Sequence, residues 1–298
     1  MSYKCLLYKK HQGIATLTLN RPERLNALGD TLREDLYDAI LRTSQDPEVR
    51  VMVITGAGRG FCAGGDVKAM DAAKAAGRER PLLEKLAPLR DKILLAMQEA
   101  PQPIIAAVNG PAAGAGMNLA LACDIRIAAT TAKFGETFVK RGLHVDWGGT
   151  YFLPRLIGMA KACELIFTGE LIGAEEALAL GLINRVVPPE RLLPETYALA
   201  QQIAAGPPVA IRLLKRALYR NQHADLRTAL EFETYAQNIC FETADAREGI
   251  RAFVEKRPPF SRAVELPQRR HKTVTQLNGR SHGLDCHLPH LRRHTGQV

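Results

Sequence analysis

Apolar residues along the first part of the chain come in short runs separated by glycine-rich breaks, and only later settle into long helical periodicity. Cys5–Tyr8 and Ile14–Leu19 are apolar or alternating runs split by Lys9-Lys10-His11-Gln12-Gly13, a pattern that predicts a hairpin. Leu28, Leu32, Leu36 and Ile40 recur at i+4 steps and predict one helix stripe ending near Thr43. After the Asp46-Pro47 turn, Val49–Ile54 reads as a strand. Ile104–Val108, apolar and partly β-branched, suits a buried strand, and Asn109-Gly110-Pro111 breaks it. Met117–Ala122 then favours helix. Ile125–Ala129 is a further strand, 133–149 a long connection, and Tyr151–Thr168 helical except at Pro154. Gly173–Leu180 predicts a short helix and Ile183–Val187 a strand. From Leu192 onward the pattern is helical, through Ala210–Tyr219, Leu226–Phe241 and Asp245–Glu255. Strands first and helices last predict an α/β fold followed by a helical lobe.

Two of the breaks bear on chemistry. Val49–Ile54 runs into Thr55-Gly56-Ala57-Gly58-Arg59-Gly60-Phe61-Cys62-Ala63-Gly64-Gly65-Asp66, and Ile104–Val108 into a stretch holding Gly114-Ala115-Gly116. No Gly-Lys-Ser/Thr follows, which excludes a P-loop, and Gly56, Gly58 and Gly60 have the wrong spacing for a dinucleotide fingerprint. A strand that stops at small residues as a helix begins leaves backbone N–H groups unpaired, with no side chain in the way. Two such groups converging from different loops make an oxyanion hole; the alternative is plain tight packing of strand on helix. Residues 104–123 carry no charged side chain, yet two Asn, a Pro and three Gly in mostly Ala surroundings argue against a membrane span.

Composition narrows the classes. At 298 residues, with 46% hydrophobic and 24% charged residues, the chain resembles an ordinary globular protein with room for a large core. Its net charge of +9 is uneven: residues 261–298 hold seven Lys/Arg against two acids, together with five of the eight histidines. That tail lacks periodicity and is expected to be disordered, so the positive balance is weak support for nucleic-acid binding. The six cysteines are scattered without metal spacing, as expected of reduced thiols in a cytoplasmic protein, and the N-terminus shows no targeting pattern. Residues 71–90, rich in Ala and charge with two prolines, read as a helix-and-loop flap.

The two glycine loops, with Leu25-Asn26-Ala27-Leu28 and the Ala132–Gly135 segment, resemble the enoyl-CoA hydratase/isomerase (crotonase) superfamily over residues 1–260, four motifs in the right order. The resemblance implies a spiral of ββα repeats with a C-terminal helical trimerisation lobe. Its divisions would be an acyl-CoA-binding core over 1–195, a helical trimerisation region over 196–260, and the 261–298 tail, which has no counterpart in the family. It also implies an acyl-CoA thioester as substrate, no cofactor beyond the coenzyme A of that substrate, no metal, no membrane, and a homotrimer or dimer of trimers. The oxyanion donors would be the backbone N–H groups of Gly65 and Ala115. Adenine and pantetheine contacts would fall on Arg24, Ala27, Ala63, Asp66 and Val67, and further substrate contacts on Gly114, Asn118 and Phe138. Phe253 and Lys256 would reach the coenzyme A of a neighbouring subunit.

Hydratases of this superfamily use two glutamates; the matching positions here are Asn118 and Phe138, neither of which can transfer a proton. Asp146 remains, in the run from Gly142 to Arg155 that resembles the ring-1,2-epoxyphenylacetyl-CoA isomerase group. One carboxylate beside an apolar pocket suits a proton shuttle between C2 and C4 of an acyl chain, giving a Δ3→Δ2 or ring-epoxide isomerase. Asp146 as a turn cap, or His144 as the base instead, are the competing readings of this segment. For Asn118 the alternatives are a core hydrogen bond or the orientation of a water, and for Phe138 and Trp147 core packing or a pocket wall. Cys62 lacks a neighbouring base in sequence, which argues against a nucleophile. Enoyl-CoA hydratase is the alternative activity, and a non-enzymatic or RNA-binding member the minor one.

Overall fold

The computed structural model describes residues 2–77 and 89–259; the tail over 261–298 and most of the later part of the 71–90 flap lie outside them. Two strands open the fold, β1 (Leu6–His11) and β2 (Ile14–Leu19), paired antiparallel. The hairpin is tighter than the sequence suggests. Lys9, Lys10 and His11 belong to β1, and only Gln12 and Gly13 turn the chain, at φ 49° and 76°. That two-residue turn with both φ positive matches the twist of the flanking strands. The lysines are tolerated because β1 is a sheet edge, and Lys10 reaches Asp46 (2.8 Å) and Glu48 (2.6 Å).

Helix α1 (Leu32–Gln45) buries Leu32, Leu36 and Ile40, the predicted stripe; Leu28 lies before it, bridged to Gly65. Strand β3 (Val51–Gly56), helices α2 (Val67–Ala75) and α3 (Leu89–Glu99), and strands β4 (Ile104–Val108) and β5 (Ala112–Ala113) follow. Then come α4 (Ala115–Leu121), β6 (Ile125–Ala129) and β7 (Lys133–Gly135), so the 133–149 connection begins as a strand. Helices α5 (Gly149–Ile157) and α6 (Met159–Thr168) are separated at Gly158, with φ 79° and ψ 159°, and Pro154 sits inside α5. The chain continues through β8 (Ile172–Gly173), α7 (Ala174–Ala179) and β9 (Arg185–Val187). It ends in α8 (Leu192–Ala204), α9 (Pro208–Asn221), α10 (Leu226–Phe241) and α11 (Ala244–Val254).

The main sheet has the order β1-β2-β3-β4-β6-β9, parallel after the hairpin, and β5-β7-β8 form a second, small sheet. The turns that begin at β4 and β6 each contribute a long strand, a short strand and a helix, as expected of ββα repeats. Strands buried on both faces explain the unbroken apolar runs. Met52, Ile54, Ile104 and Ala106 face the larger core; Val51, Val53, Ile105 and Ala107 face the other side, against Leu192 and Ala200. Helix α8 therefore straddles the division expected at residue 195 and packs as part of the core. Each fully buried Ile or Leu contributes about 1.5–3 kcal/mol. Among the described residues no helix is long and apolar enough to cross a membrane, and no group of three acidic, His or Cys side chains could hold a metal ion.

Candidate active site

The first glycine loop, after β3, is knitted by Asn26: its side-chain amide donates to the carbonyls of Ala57 (2.9 Å) and Gly60 (2.8 Å). It runs beside the second loop, with Cys62 N–H donating to Pro111 C=O (3.1 Å) and Ala113 N–H to Cys62 C=O (3.0 Å). Glycine is required where these backbones meet. A Cβ on Gly116 would lie 2.0 Å from the Cys62 oxygen, and one on Gly64, at φ +93°, 2.7 Å from that of Ala113. The same hypothetical Gly64 Cβ would be 3.5 Å from the Ala115 nitrogen, so the bare glycine keeps that amide open.

Gly65 and Ala115 both line one cavity of about 310 Å³. Among the described residues neither N–H donates to another backbone group, and Ala115, as the first residue of α4, has no partner within its helix. Leu28, Val67, Met70, Phe138, Leu143 and Trp147 supply apolar walls, and Arg33, Arg90 and Arg141 positive charge. Asp146 is the one carboxylate among the described residues on this lining. It precedes an unusual turn, Trp147 at φ 53° and Gly148 at φ 71°, before α5 begins. Backbone of this kind at a non-glycine residue is held only where surrounding contacts enforce it. Asn118 does so here: its Nδ2 donates to the Asp146 carbonyl (2.8 Å), in a space left by Gly149, where a Cβ would meet Asn118 at 2.5 Å.

Burial raises the Asp146 carboxyl above its usual range, opposed by the Arg90 guanidinium 3.3 Å from Oδ2. A carboxylate of raised basicity bordering a cavity is suited to accept and return a proton. His144 also lines the cavity, but its Nδ1 is 2.6 Å from the neighbouring Val145 carbonyl, which leaves only Nε2 for other work. Burial pushes the Cys62 thiol up to about 12, which leaves it protonated near neutral pH.

The cavity gathers Ala63, Gly65, Val67, Gly114, Ala115, Phe138 and Asp146 from the candidates named by sequence. The others lie elsewhere. Asn118 is fully buried behind the cavity wall, holding the Asp146 loop instead of facing substrate. Asp66 accepts from Arg21 (2.9 Å) and from the Ala69 amide (3.1 Å); burial works to raise its pKa, and those donors hold it below the usual carboxylate range. The Ala27 carbonyl accepts from Arg21 (2.6 Å), and Arg24 is exposed outside the cavity lining. Phe253, 85% exposed, and Lys256 stand at the far C-terminal end, away from this lining. Sequence reasoning passed over Arg90 and Glu136. Glu136 directly follows β7, is fully buried, and approaches Asn118 Nδ2 at 3.4 Å. A lone glutamate in a long connection gives no periodic signal of burial.

A spiral of parallel strands and helices, with Gly65 and Ala115 on the lining of one cavity, defines a crotonase-fold protein. Residues 9–262 match the enoyl-CoA hydratase/isomerase family, and the chain belongs to it. It is 40% identical over 259 residues to the crotonyl-CoA hydratase of Syntrophomonas wolfei, covering 86% of this chain and 97% of that one. It is likewise 40% identical over 264 residues to the 1,2-epoxyphenylacetyl-CoA isomerase of Escherichia coli, covering 85% and 97%. Its fold matches the crystal structure of an enoyl-CoA hydratase from Mycobacterium smegmatis with a TM-score of 0.80 at 35% identity, over 86% and 98% of the two chains.

Proposed function

We propose that the chain is an acyl-CoA isomerase in which Asp146 alone carries the proton. The observation that carries this is the cavity lining: Gly65 and Ala115 amides, apolar walls and one carboxylate, with Phe138 bordering the space and Asn118 turned to the loop. A 3-enoyl thioester sits with its carbonyl oxygen between the two amides. Asp146 takes a proton from C2, and the C–H electron pair moves into the carbonyl, whose oxyanion the two N–H groups stabilise. Each donor contributes on the order of 3 kcal/mol. The protonated Asp146 then delivers the proton to C4, leaving the double bond between C2 and C3. Coenzyme A belongs to the substrate, its anionic phosphates suit a cavity bordered by arginines, and no separate cofactor is consumed. In a ring-epoxide substrate the same enolate would drive rearrangement.

In Asp146→Asn, turnover of a 3-enoyl-CoA should fall by about 10²–10⁴-fold while coenzyme A ester binding persists. Retained turnover would move the proton transfer to another group. The relative named crotonyl-CoA hydratase favours a second reading, addition of water to a 2-enoyl-CoA. Rapid loss of conjugated thioester absorbance from crotonyl-CoA would favour it over isomerisation. Exposed Leu218, Leu226, Phe253 and Val254 on α9 to α11 support a homotrimer or dimer of trimers, with Phe253 and Lys256 at a neighbour's coenzyme A. A monomer by sedimentation would remove that part.

A further inference from the structure

Behind the cavity lies a second carboxyl that the reaction above does not use. Glu136 is fully buried at the end of β7, and Asn118, on α4, stands between it and the Asp146 loop. One amide nitrogen serves both sides: Asn118 Nδ2 is 2.8 Å from the Asp146 carbonyl and 3.4 Å from Glu136 Oε2. The orientation of that amide is set by the Asp146 carbonyl, which can only accept. Three oxygens of this cluster, Asn118 Oδ1, Glu136 Oε1 and Asp146 Oδ1, are buried with no hydrogen-bond partner among the described residues. Buried acceptors normally find partners, so a cluster with three open ones has capacity to rearrange.

We infer that Glu136 is a positioning residue: uncharged, it leaves the Asn118 amide on the Asp146 carbonyl, and once ionised it competes for that amide and loosens the aspartate. The inference rests on Asp146 being the proton carrier. A neutral carboxyl is a weak acceptor, consistent with the long 3.4 Å contact, whereas a carboxylate accepts about twice as strongly and draws its donor to a shorter distance. Burial, with the Asp146 charge adding to it and the Asn118 bond opposing, pushes the Glu136 carboxyl up to about 8. The groups facing the cluster are Asp146 itself, His144 on the same loop, and Arg90 and Asp91 from α3, whose charges act on Asp146. No lysine or arginine bonds Glu136 among the described residues. Its proton leaves to solvent as pH rises, placing a second negative charge beside Asp146 and making the protonated aspartate a poorer donor to C4.

The test is the pH dependence of kcat for a short-chain 3-enoyl-CoA. In the unaltered enzyme kcat should fall above about pH 8, losing up to tenfold per pH unit for one ionisation. In Glu136→Gln, which keeps the shape and cannot ionise, the ratio of kcat at pH 7 to kcat at pH 9 should approach one. An alkaline fall that persists in that variant overturns the inference. Because a buried substitution can impair folding, glutamate carboxyl ¹³C resonances of the unaltered protein supply a second reading: one should titrate near pH 8, and none titrating above about 7 refutes the proposal. The underlying reading fails separately. If Asp146→Asn stays active, the proton carrier is misassigned whatever Glu136 does; if Asp146→Asn is inactive and the alkaline fall survives Glu136→Gln, only the positioning role is lost.

Discussion

Two clusters of buried polar side chains, one around Lys215 and Asp124 and one around Asn118 and Glu136, are built on opposite rules. Between α9 and the sheet, Lys215 Nζ donates to the carbonyls of Met97 (3.0 Å) and Gln102 (3.0 Å) and pairs with Asp124 Oδ2 (2.9 Å). Asp124 also accepts from the Ile104 amide (2.6 Å) and the Tyr219 hydroxyl (2.5 Å). Every ammonium proton has an acceptor and both carboxylate oxygens have donors. Around Asp146, by contrast, three buried oxygens have no hydrogen-bond partner among the described residues. Saturation fixes the first cluster in one arrangement, as suits an anchor for a helix. The deficit in the second leaves an aspartate whose proton affinity and position respond to its neighbours. A site that must take up and release a proton needs that freedom, and a structural anchor does not.

Opening the saturated cluster should have the largest effect on stability. Lys215→Ala strands Asp124 and two carbonyls in a buried setting, and losing one partner of a buried pair costs about 3–5 kcal/mol. Urea unfolding should show that loss, while turnover per folded molecule stays near that of the parent. A loss below about 1 kcal/mol would mean that the anchor is dispensable and that saturation says little about its purpose.

Asn118→Ala should give the reverse profile. The substitution removes one donor from a cluster already short of them, and the Asp146 carbonyl retains only the Gly149 amide at 3.3 Å. Stability should change by about 1–2 kcal/mol. Turnover of a 3-enoyl-CoA should fall by about ten- to a hundredfold, because a small misplacement of the base costs that much. Equal losses of stability and turnover would make Asn118 an anchor of the same kind as Lys215.

These two clusters also mark how far sequence carries the argument. The strands and loops were legible because burial on both faces of a parallel sheet demands unbroken apolar runs, as in Val51–Ile54 and Ile104–Val108. Gly64 and Gly116 were legible because close backbone approach excludes a side chain there, and Gly114 because its φ of 52° suits glycine; a Cβ on Gly65 would meet only the tip of Met70. The position of Asp146 came from motif context, and the structure puts it on the cavity with Gly65 and Ala115. Polar residues inside the core leave no such trace. Glu136, Asn118 and Lys215 have the spelling of surface residues, and only tertiary packing reveals that they are enclosed. The helix break falls at Gly158, whose φ of 79° suits glycine, while Pro154 lies inside α5 without ending it. Phe253 and Lys256 lie outside the cavity lining of their own chain.

The mildest perturbation compares like with like, an arginine–carboxylate pair beside Asp146 against the lysine–carboxylate pair beside Tyr219. The side chains of Arg90 and Asp146 are 35% and 36% exposed, against 6% and 17% for Lys215 and Asp124. Solvent screening therefore limits what Arg90 can do to position or stability, and its effect should be confined to proton affinity. Burial raises the Asp146 pKa and the Arg90 charge lowers it, so Arg90→Leu should raise it further. The base works when ionised, so the acidic limb of the kcat/KM profile should move to higher pH, most clearly at low salt. Well above that limb the rate should change by about twofold or less, and added salt in the parent enzyme should reproduce part of the displacement. Displacement in the other direction would require a base that works protonated, which no carboxylate does. An unmoved limb would assign the Arg90 charge to Asp91, whose Oδ1 lies 3.3 Å from Nε, and would leave burial alone to set the basicity of Asp146.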